Sequence, residues 1–572
     1  MILRKWLTVL LMITFMLCMS MGALSAADGA WDGNGPYVDE IIMPIITDSE
    51  ARYLALLRGE IDIYPDVNRP SDIRSFAADP RIDLTMTPGL HMFYMGFNLQ
   101  REPLDDPVLR RAMAHLVDRE SLVFSVFDGY VFPLAEAVPE SSPFYHRTAH
   151  VAEYDPQLAE RLLNEAGYVR GEDGIRVDPR TSKPLRTLTL ITPTYEESPT
   201  SAEVAVRLAQ TFQNAGIPVA VVSLEFNTMV ERLLRKDPVT GERDFDLFVS
   251  GWGLARYPLH LYTLFHSSFD VNGGNNVTGL RDAAYDAAAE KLWRPRTLEQ
   301  AYEAAAEAQE IWAALQPYIP IYSLTYIDAF RSDRVTGYVE HVGYGAASNP
   351  LASPWTALNI RRVDQPEGRG GSIRWLLFDD PGTLNILASY TAFEDQVLGL
   401  IYDSLITANP ETNEDYPWLA TSWVIDTWTT ESGEEGSVIT YQLAEGVTWH
   451  DGVPFTAYDV KFTMDYLKEK KPPNLQAVWQ DYSHSIVHDD LTVSVYYNTV
   501  SYWHTYATGG FLAEHIWSDV DDYESFQPWR EPHPEVEGLT KLIGHGPFVF
   551  KEWVPGEYIR LVRNESYWRS QG

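Results

Sequence analysis

Aromatic and basic side chains cluster within one short stretch of this sequence. The apolar run at residues 245–249 is typical of a buried strand, and it leads into Trp252, Arg256, Tyr257 and Tyr262. Aromatic rings offer rigid faces on which a ligand can stack, and an arginine guanidinium offers a fixed fork of hydrogen-bond donors. The pattern predicts one wall of a ligand-binding site, although such rings also fill protein cores.

The same stretch predicts how these side chains are positioned. We expect the strand to end at residue 249, and the glycines on either side of Trp252 to form a flexible turn. The segment beyond the turn is predicted to be loop or short helix. Arg256 and the two tyrosines would then lie just past the end of a strand, where ligand contacts are common.

Motifs for catalysis or metal binding give little support to other chemistries. His450 and Asp451 precede Gly452 and could form an acid–base pair. The 14 histidines are scattered without an HExxH spacing, and the sequence has no GxSxG motif or P-loop. Cys18 is the only cysteine, so the sequence offers no cysteine pair. We expect no catalytic residues, no metal and no cofactor.

Length, composition and charge bound the class of protein. A chain of 572 residues, 45% of them apolar, predicts large cores divided among about two to four domains. The net charge of −36 argues against nucleic acids and anionic membranes as partners. Residues 1–27 combine a positive start, an apolar run and a small-residue cleavage site, which predicts a signal peptide and an extracytoplasmic protein. A retained signal anchor is the alternative, but the apolar run is short for a membrane span.

Helix caps can be identified directly from the sequence. Asp48 stands before a leucine-rich segment, and Asp106 and Asp155 each precede a proline. Aspartate at the N-cap followed by proline in the first turn is typical of a helix start. Thr297 begins a predicted capping box with Gln300 and a long alanine-rich helix.

The order of predicted elements indicates an α/β protein with two halves. Residues 185–191, 201–214 and 219–224 predict a strand, a helix and a strand, which together form a β-α-β unit. Residues 362–371 are charged and rich in glycine and proline, and we interpret them as a linker.

Longer motifs make this sequence resemble a known family. Residues 417–423, 441–460 and 544–548 in the second half, with 56–63 and 109–113 in the first half, are similar to signature segments of the extracellular solute-binding proteins of family 5. That family serves ATP-binding-cassette (ABC) importers of peptides, nickel, opines and oligosaccharides. The resemblance implies an α/β, two-lobed, periplasmic-binding-protein-like fold (type II, cluster C-like) with a hinge between the lobes. It also implies ABC permease subunits as partners, and we expect a monomer. The resemblance further implies that His450, Asp451 and Gly452 form a structural turn rather than an acid–base pair.

The order of the motifs differs from that of the family. In the family, the segment that corresponds to the one ending at Trp568 here comes first. It continues directly into the segment that corresponds to residues 36–40, which here lies near the N-terminus. The family's chain ends near the segment resembling 354–360, and its mature start resembles 372–375. The sequence therefore resembles a circular permutant with a signal peptide on the new N-terminus, which is feasible where the original ends are neighbours.

The resemblance also divides the chain between the lobes. The expected division is a signal peptide at 1–27, parts of lobe I at 36–85, 331–361, 372–413 and 541–570, lobe II at 86–330, a linker at 362–371, and an extra subdomain packed on lobe I at 414–540.

The resemblance guides the choice of ligand. In the peptide-binding members, an acid three residues after the strand-end tryptophan holds the α-ammonium group. Here that position is Ala255, and Arg256 follows it. We therefore favour an oligosaccharide or an anionic solute over a peptide, with Trp252, Tyr257 and Tyr262 stacking on the ligand and Arg256 donating to its hydroxyls or carboxylate.

The predicted function is capture of an oligosaccharide, a peptide or a similar small solute between the lobes, and its delivery to a membrane permease. Asp379 and Trp479 are candidates for the facing wall, with core packing as the other interpretation of the tryptophan. A secreted carbohydrate-active enzyme is one alternative, since many such enzymes are acidic and aromatic-rich. A non-transport solute sensor on the same fold is another.

Overall fold

The computed structural model describes residues 31, 33–195, 198–365, 369–389, 391–506 and 510–571. The predicted signal peptide at 1–27 lies outside these residues. Within the described ranges, no helix is both long enough and apolar enough to cross a membrane.

The described chain alternates strands and helices along most of its length. The strands, numbered β1 to β22 in chain order, are Glu40–Pro44, Ile63–Tyr64, Ile82–Pro88, His91–Phe97, Val131–Pro133, Val177–Asp178, Lys183–Pro184, Leu188–Pro193, Val219–Leu224, Leu247–Gly253, Tyr318–Arg331, Val335–Thr336, Arg361–Arg362, Ser372–Arg374, Ile406–Ala408, Asp415–Pro417, Ala420–Thr429, Glu435–Leu443, Tyr482–Asp489, Thr492–Tyr497, Phe548–Val554 and Tyr558–Arg563. The α-helices, numbered α1 to α15, are Ser49–Arg58, Pro70–Ala77, Pro107–His115, Arg119–Phe127, Pro156–Glu165, Pro199–Asn214, Phe226–Leu234, His260–Thr263, Ala283–Trp293, Leu298–Leu315, Trp355–Asn359, Ala392–Ile401, Ala457–Lys470, Gln476–Trp479 and Glu514–Trp517. Short 3₁₀ helices lie at Ser267–Phe269, Pro473–Leu475, Tyr502–Tyr506 and Trp568–Gln571.

The predicted helix caps are confirmed. The side chains of Asp48, Asp106 and Asp155 each accept a hydrogen bond from a backbone amide of the helix that follows. Thr297 likewise accepts from the amide of Gln300, but the Gln300 side chain accepts from the amide of Arg296 rather than from Thr297. One of the two bonds of the predicted capping box is present. The other, from the Gln300 side chain, goes to the amide one residue before the N-cap.

An eight-stranded sheet holds the stretch that contains Trp252. Its path is β2-β11-β4-β10-β8-β9, and β3 and β5 also pair with β11. Strands β8 and β9 are parallel and α6 joins them, which confirms the predicted β-α-β unit. Side chains of β10 point alternately to the two faces of the sheet, and both faces are buried: Val249 lies in one core and Phe248 in another. This explains why the apolar run of β10 is continuous.

Strand β10 continues further than the sequence predicts. Gly251, Trp252 and Gly253 pair with residues of β4, so the predicted turn at these glycines is wrong. The Phe93 ring of β4 lies where a side chain on Gly251 would project, because a Cβ added there would come within 2.5 Å of it. Gly251 therefore allows close packing within the sheet.

A second sheet joins segments from distant parts of the sequence. Its order is β14-β1-β22-β21, and Ile41 of β1 pairs with Ile373 in parallel and with Leu561 in antiparallel. Beyond this sheet, Arg569 Nε donates to the carbonyl of Gly33 at 3.1 Å, so the two ends of the described chain are neighbours.

The two sheets have largely different cores, although Ile63 of β2 and Phe330 of β11 pack in the same core as Ile41. We call the body around Ile41, Ile373 and Leu561 the first lobe, and the body around Met95 and Val249 the second lobe. A four-stranded sheet, β17-β18-β20-β19, packs on the core of the first lobe, and we call residues 420–540, which contain this sheet, the subdomain. The long strand β11 pairs with β4 in its first half and with β2 and β3 in its second half. This is the α/β, two-lobed fold class that the sequence predicts.

Candidate functional site

A cavity of about 180 Å³ lies where the two lobes and the subdomain meet. Arg256 and Tyr257 line it from the loop that follows β10 in the second lobe. Ser404 and Thr407, at the start of the short β15–β16 sheet, line it from the first lobe, and Tyr506 lines it from the subdomain. Walls from independent parts of the chain are typical of a ligand cavity that forms when lobes close.

The guanidinium of Arg256 is held on several sides. It donates to Asp415 Oδ1 at 2.9 Å, to the hydroxyl of Tyr257 and, more weakly, to the carbonyl of Thr407 at 3.4 Å. Its Cζ lies 4.7 Å from the centre of the Tyr257 ring and 5.4 Å from that of Tyr506. The side chain is therefore fixed by an ion pair and by the faces of two aromatic rings.

Asp415 joins all three parts of the molecule. It is the first residue of β16, and its side chain is 10% exposed. Besides Arg256, it accepts hydrogen bonds from the hydroxyls of Tyr257 at 3.2 Å, Tyr502 at 3.1 Å and Tyr506 at 2.6 Å. The aspartate thus connects the first lobe to the second lobe and to the 3₁₀ helix of the subdomain.

The surroundings keep Tyr502 and Tyr506 protonated. Burial, followed by the negative charge of Asp415, raises the pKa of both Tyr502 and Tyr506 well above the usual range. The rings of Tyr257 and Tyr506 stack with centroids 3.6 Å apart and planes inclined by 17°. Protonated hydroxyls remain available as donors to the carboxylate, so the arrangement persists over the physiological pH range.

The subdomain also contacts the second lobe directly. The backbone amide of Tyr502 donates to the carbonyl of Pro295 at 2.7 Å, and Trp503 Nε1 donates to that of Leu292 at 2.7 Å. Arg296 donates to Glu435 at 2.8 Å across the same boundary. The subdomain and the second lobe are therefore in direct contact.

The other predicted site residues lie away from this cavity. Trp252 is on β10 with 39% of its surface exposed, and Tyr262 stacks on Trp293 at 4.8 Å. Asp379 is exposed and accepts from the amide of Asp380 at 2.8 Å. Trp479 donates to the carbonyl of Pro472 at 3.0 Å within the subdomain. The structure thus brings together Arg256 and Tyr257 and leaves the other four apart.

The sequence prediction did not include Asp415, Tyr502 and Tyr506, nor the lining residues Ser404 and Thr407 of the first lobe. Asp415 is 158 positions from Tyr257 in the sequence. It lies two residues before the family-like segment 417–423, which is the one signal that could have drawn attention to it.

One further cluster of polar side chains lies in the subdomain. The Nε2 atoms of His515 and His533 lie 2.6 and 3.0 Å from Asp451 Oδ2, and Gly452 adopts a left-handed conformation at the predicted turn. Backbone amides of Glu535 and Val536 donate to His533 Nδ1, so its Nε2 carries the hydrogen and donates to Asp451. A histidine that binds a metal normally donates through its other ring nitrogen, so this arrangement fits a hydrogen-bonded junction better than a metal site.

Comparison with known proteins finds similarity to one family of bacterial binding proteins. The sequence model described as bacterial extracellular solute-binding proteins, family 5 Middle, matches residues 23–275 and 414–572. The peptide transport periplasmic protein SapA of Salmonella typhimurium is 26% identical over 315 residues, which cover 54% of this chain and 53% of that protein. The dipeptide-binding protein of Escherichia coli is 33% identical over 146 residues, 26% of this chain and 27% of that protein. The chain spans about half the length of the curated relatives it matches first.

Solved structures give matches of similar extent. The oligopeptide-binding protein AppA from Bacillus subtilis, in complex with a nonapeptide, is 25% identical with a TM-score of 0.42, covering 51% of this chain and 56% of that one. The family match takes in more than half of the sequence, on both sides of the predicted linker. The chain belongs to the bacterial extracellular solute-binding proteins of family 5.

Proposed function

We propose that this protein is the extracytoplasmic substrate-binding component of an ABC importer. It captures an oligosaccharide, a peptide or a similar small solute between its lobes and delivers the solute to a membrane permease. The observation that carries this proposal is the cavity at the junction of the lobes, with Arg256 and Tyr257 on one side and residues of β15 on the other. Closure of lobes around such a space excludes water from the solute and strengthens polar contacts.

The relatives support the location and the partner. A probable ABC transporter periplasmic-binding protein of Escherichia coli is 26% identical over 315 residues. We assign this chain the same kind of location and a permease partner by analogy with that name. We further propose that the protein binds its solute as a monomer, without catalysis.

The predicted division of the chain supports the same function. We propose that residues 86–330 form lobe II and that the segments on either side of the linker at 362–371 form lobe I, in a circularly permuted order. The pairing of β1 with both β14 and β22, and the contact between Arg569 and Gly33, are consistent with such an order.

Mass spectrometry of small molecules released by denaturing the purified protein tests the proposed function. We expect one solute at near-equal stoichiometry with the protein. A Tyr257→Ala variant should retain less of it, because Tyr257 lines the cavity, whereas Tyr458→Ala, an exposed aromatic of the subdomain, should retain as much as the native protein. Hydrolysis of the released compound by the native protein, or loss of solute from neither variant, would contradict the proposal.

A further inference from the structure

The positive charge of Arg256 is already matched inside the protein. Its partner Asp415 lies at 2.9 Å, and the side chains are only 8% and 10% exposed. A buried charge without a partner is strongly disfavoured, so neither residue can lose the other without a replacement charge. The wall of the cavity therefore presents a neutral pair where the sequence alone suggests a free cation.

Asp415 has no remaining capacity for a ligand. Its Oδ1 accepts from Arg256 and from Tyr257, and its Oδ2 accepts from Tyr502 and from Tyr506. A carboxylate offers about four lone-pair positions, and these four donors fill them. The aspartate is held in place by donors from two other parts of the molecule and is not free to move aside for a competing anion.

The rest of the cavity wall carries no charge. Apart from Arg256, all of the described lining residues have aliphatic, aromatic or hydroxyl side chains. An anionic solute in this space would have to displace Asp415, which leaves three tyrosine hydroxyls without their acceptor, or lie beside a carboxylate of the same sign. Both alternatives oppose binding.

We infer that Asp415 determines the charge selectivity of the solute site, and that the site accepts compact, uncharged solutes with hydroxyl or amide groups while rejecting anionic ones. This inference rests on the proposed function, since it concerns the solute that the cavity holds. The cavity volume of about 180 Å³ limits the enclosed part of the solute to a small group.

The Asp415→Asn substitution tests this selectivity by a gain of binding. Asparagine is nearly isosteric and leaves the charge of Arg256 unmatched, so a small anion in the cavity becomes the replacement partner. The probes are glutarate and its uncharged analogue glutaramide, compared by thermal unfolding and calorimetry at equal ionic strength. We expect glutarate to bind Asp415→Asn about tenfold or more tightly than it binds the native protein, the factor that one charge-assisted hydrogen bond supplies.

Matched measurements separate this outcome from other effects. Asp426→Asn removes an exposed carboxylate of the subdomain and should leave glutarate binding as in the native protein. Equal binding of glutarate by the native protein and Asp415→Asn would overturn the inference, as would preference of the native protein for glutarate over glutaramide.

A second readout does not depend on the folding of a variant. The solute released from the native protein should be uncharged at neutral pH. An anionic solute at near-equal stoichiometry would overturn the charge selectivity and leave the proposed function intact, whereas hydrolysis of the solute would contradict the proposed function itself.

Discussion

Asp403 lies beneath aromatic side chains in the core of the first lobe and is 5% exposed. Tyr567 donates to it at 3.1 Å and Trp568 Nε1 at 3.3 Å. Burial is the largest cause that raises the pKa of Asp403, to about 6 from an ordinary value of 3.8. The folded protein therefore keeps a proton on this group over a pH range in which the unfolded chain has released it.

The raised pKa of Asp403 predicts a pH-dependent stability. Because the folded state binds the extra proton, the free energy of unfolding should fall as the pH rises from about 4 to about 6, by about 3 kcal/mol for this group. Asp403→Asn removes the titration and should flatten that part of the curve, measured by denaturant unfolding at each pH. Asp379→Asn, which removes an exposed carboxylate, is the matched control, and an unaltered slope in Asp403→Asn would contradict the assignment.

At the same scale, the sequence predicts only part of the candidate site. Arg256 and Tyr257 are adjacent in the sequence, follow a strand and line the cavity, and this local pattern is visible without a structure. The ion pair with Asp415 depends on how the two lobes meet, and no local pattern encodes that arrangement. The role expected for Arg256, donation to a ligand, stays a prediction, because in the structure its donors are directed to Asp415, Tyr257 and Thr407.

Among the elements, helices were predicted well because their start signals are local. An aspartate N-cap accepts from an amide two or three residues later, so Asp106 and Asp155 mark their helices whatever the tertiary structure is. The β-α-β unit was likewise predicted from a continuous stretch of sequence. The end of β10 was predicted wrongly because Gly251 and Gly253 pair with strand β4 instead of forming a turn. Strand β4 lies far earlier in the sequence, so no local pattern shows this pairing.

The close packing of Gly251 gives a test at the scale of this strand. In Gly251→Ala the new Cβ would lie within 2.5 Å of the Phe93 ring, so the strands must separate or the ring must move. We expect the free energy of unfolding to fall by about 1–3 kcal/mol, the usual cost of overpacking. Denaturant unfolding followed by tryptophan fluorescence would measure it.

Gly253→Ala is the matched control for this prediction. It lies two residues further along β10, and a Cβ added there meets no atom closer than 4.0 Å, the Cδ2 of His91. We expect its stability to be close to that of the native protein. Equal losses in the two variants would mean that both glycines are needed for backbone freedom, and would remove the packing explanation for Gly251.

At the scale of the whole molecule, the first lobe is assembled from widely separated parts of the chain. Strand β1 lies between β14 and β22, so residues near 41, 373 and 561 complete one sheet. The sequence predicts this arrangement only through its resemblance to the family, because strand pairing over such separations leaves no local signal. The physical requirement for a permuted order is that the joined and the opened ends lie at the surface and close together.

The neighbouring chain ends therefore predict that the proposed permutation can be reversed. A variant that begins at Ser372, joins residue 571 to residue 33 through a short glycine–serine linker and ends at Arg362 should fold as the native chain does. The Arg569 side chain already reaches the Gly33 carbonyl, with its Nε 3.1 Å from the oxygen, and the entropy of loop closure changes only slowly with loop length. We expect the same circular dichroism spectrum, the same small-angle scattering profile and the same released solute.

A second variant, with the same joined ends but opened between Val249 and Ser250, interrupts β10 inside the eight-stranded sheet and should not fold. If the first variant fails to fold, the proposed permutation is contradicted. If both variants fold, folding does not depend on where the chain is opened, and the test gives the permuted order no support.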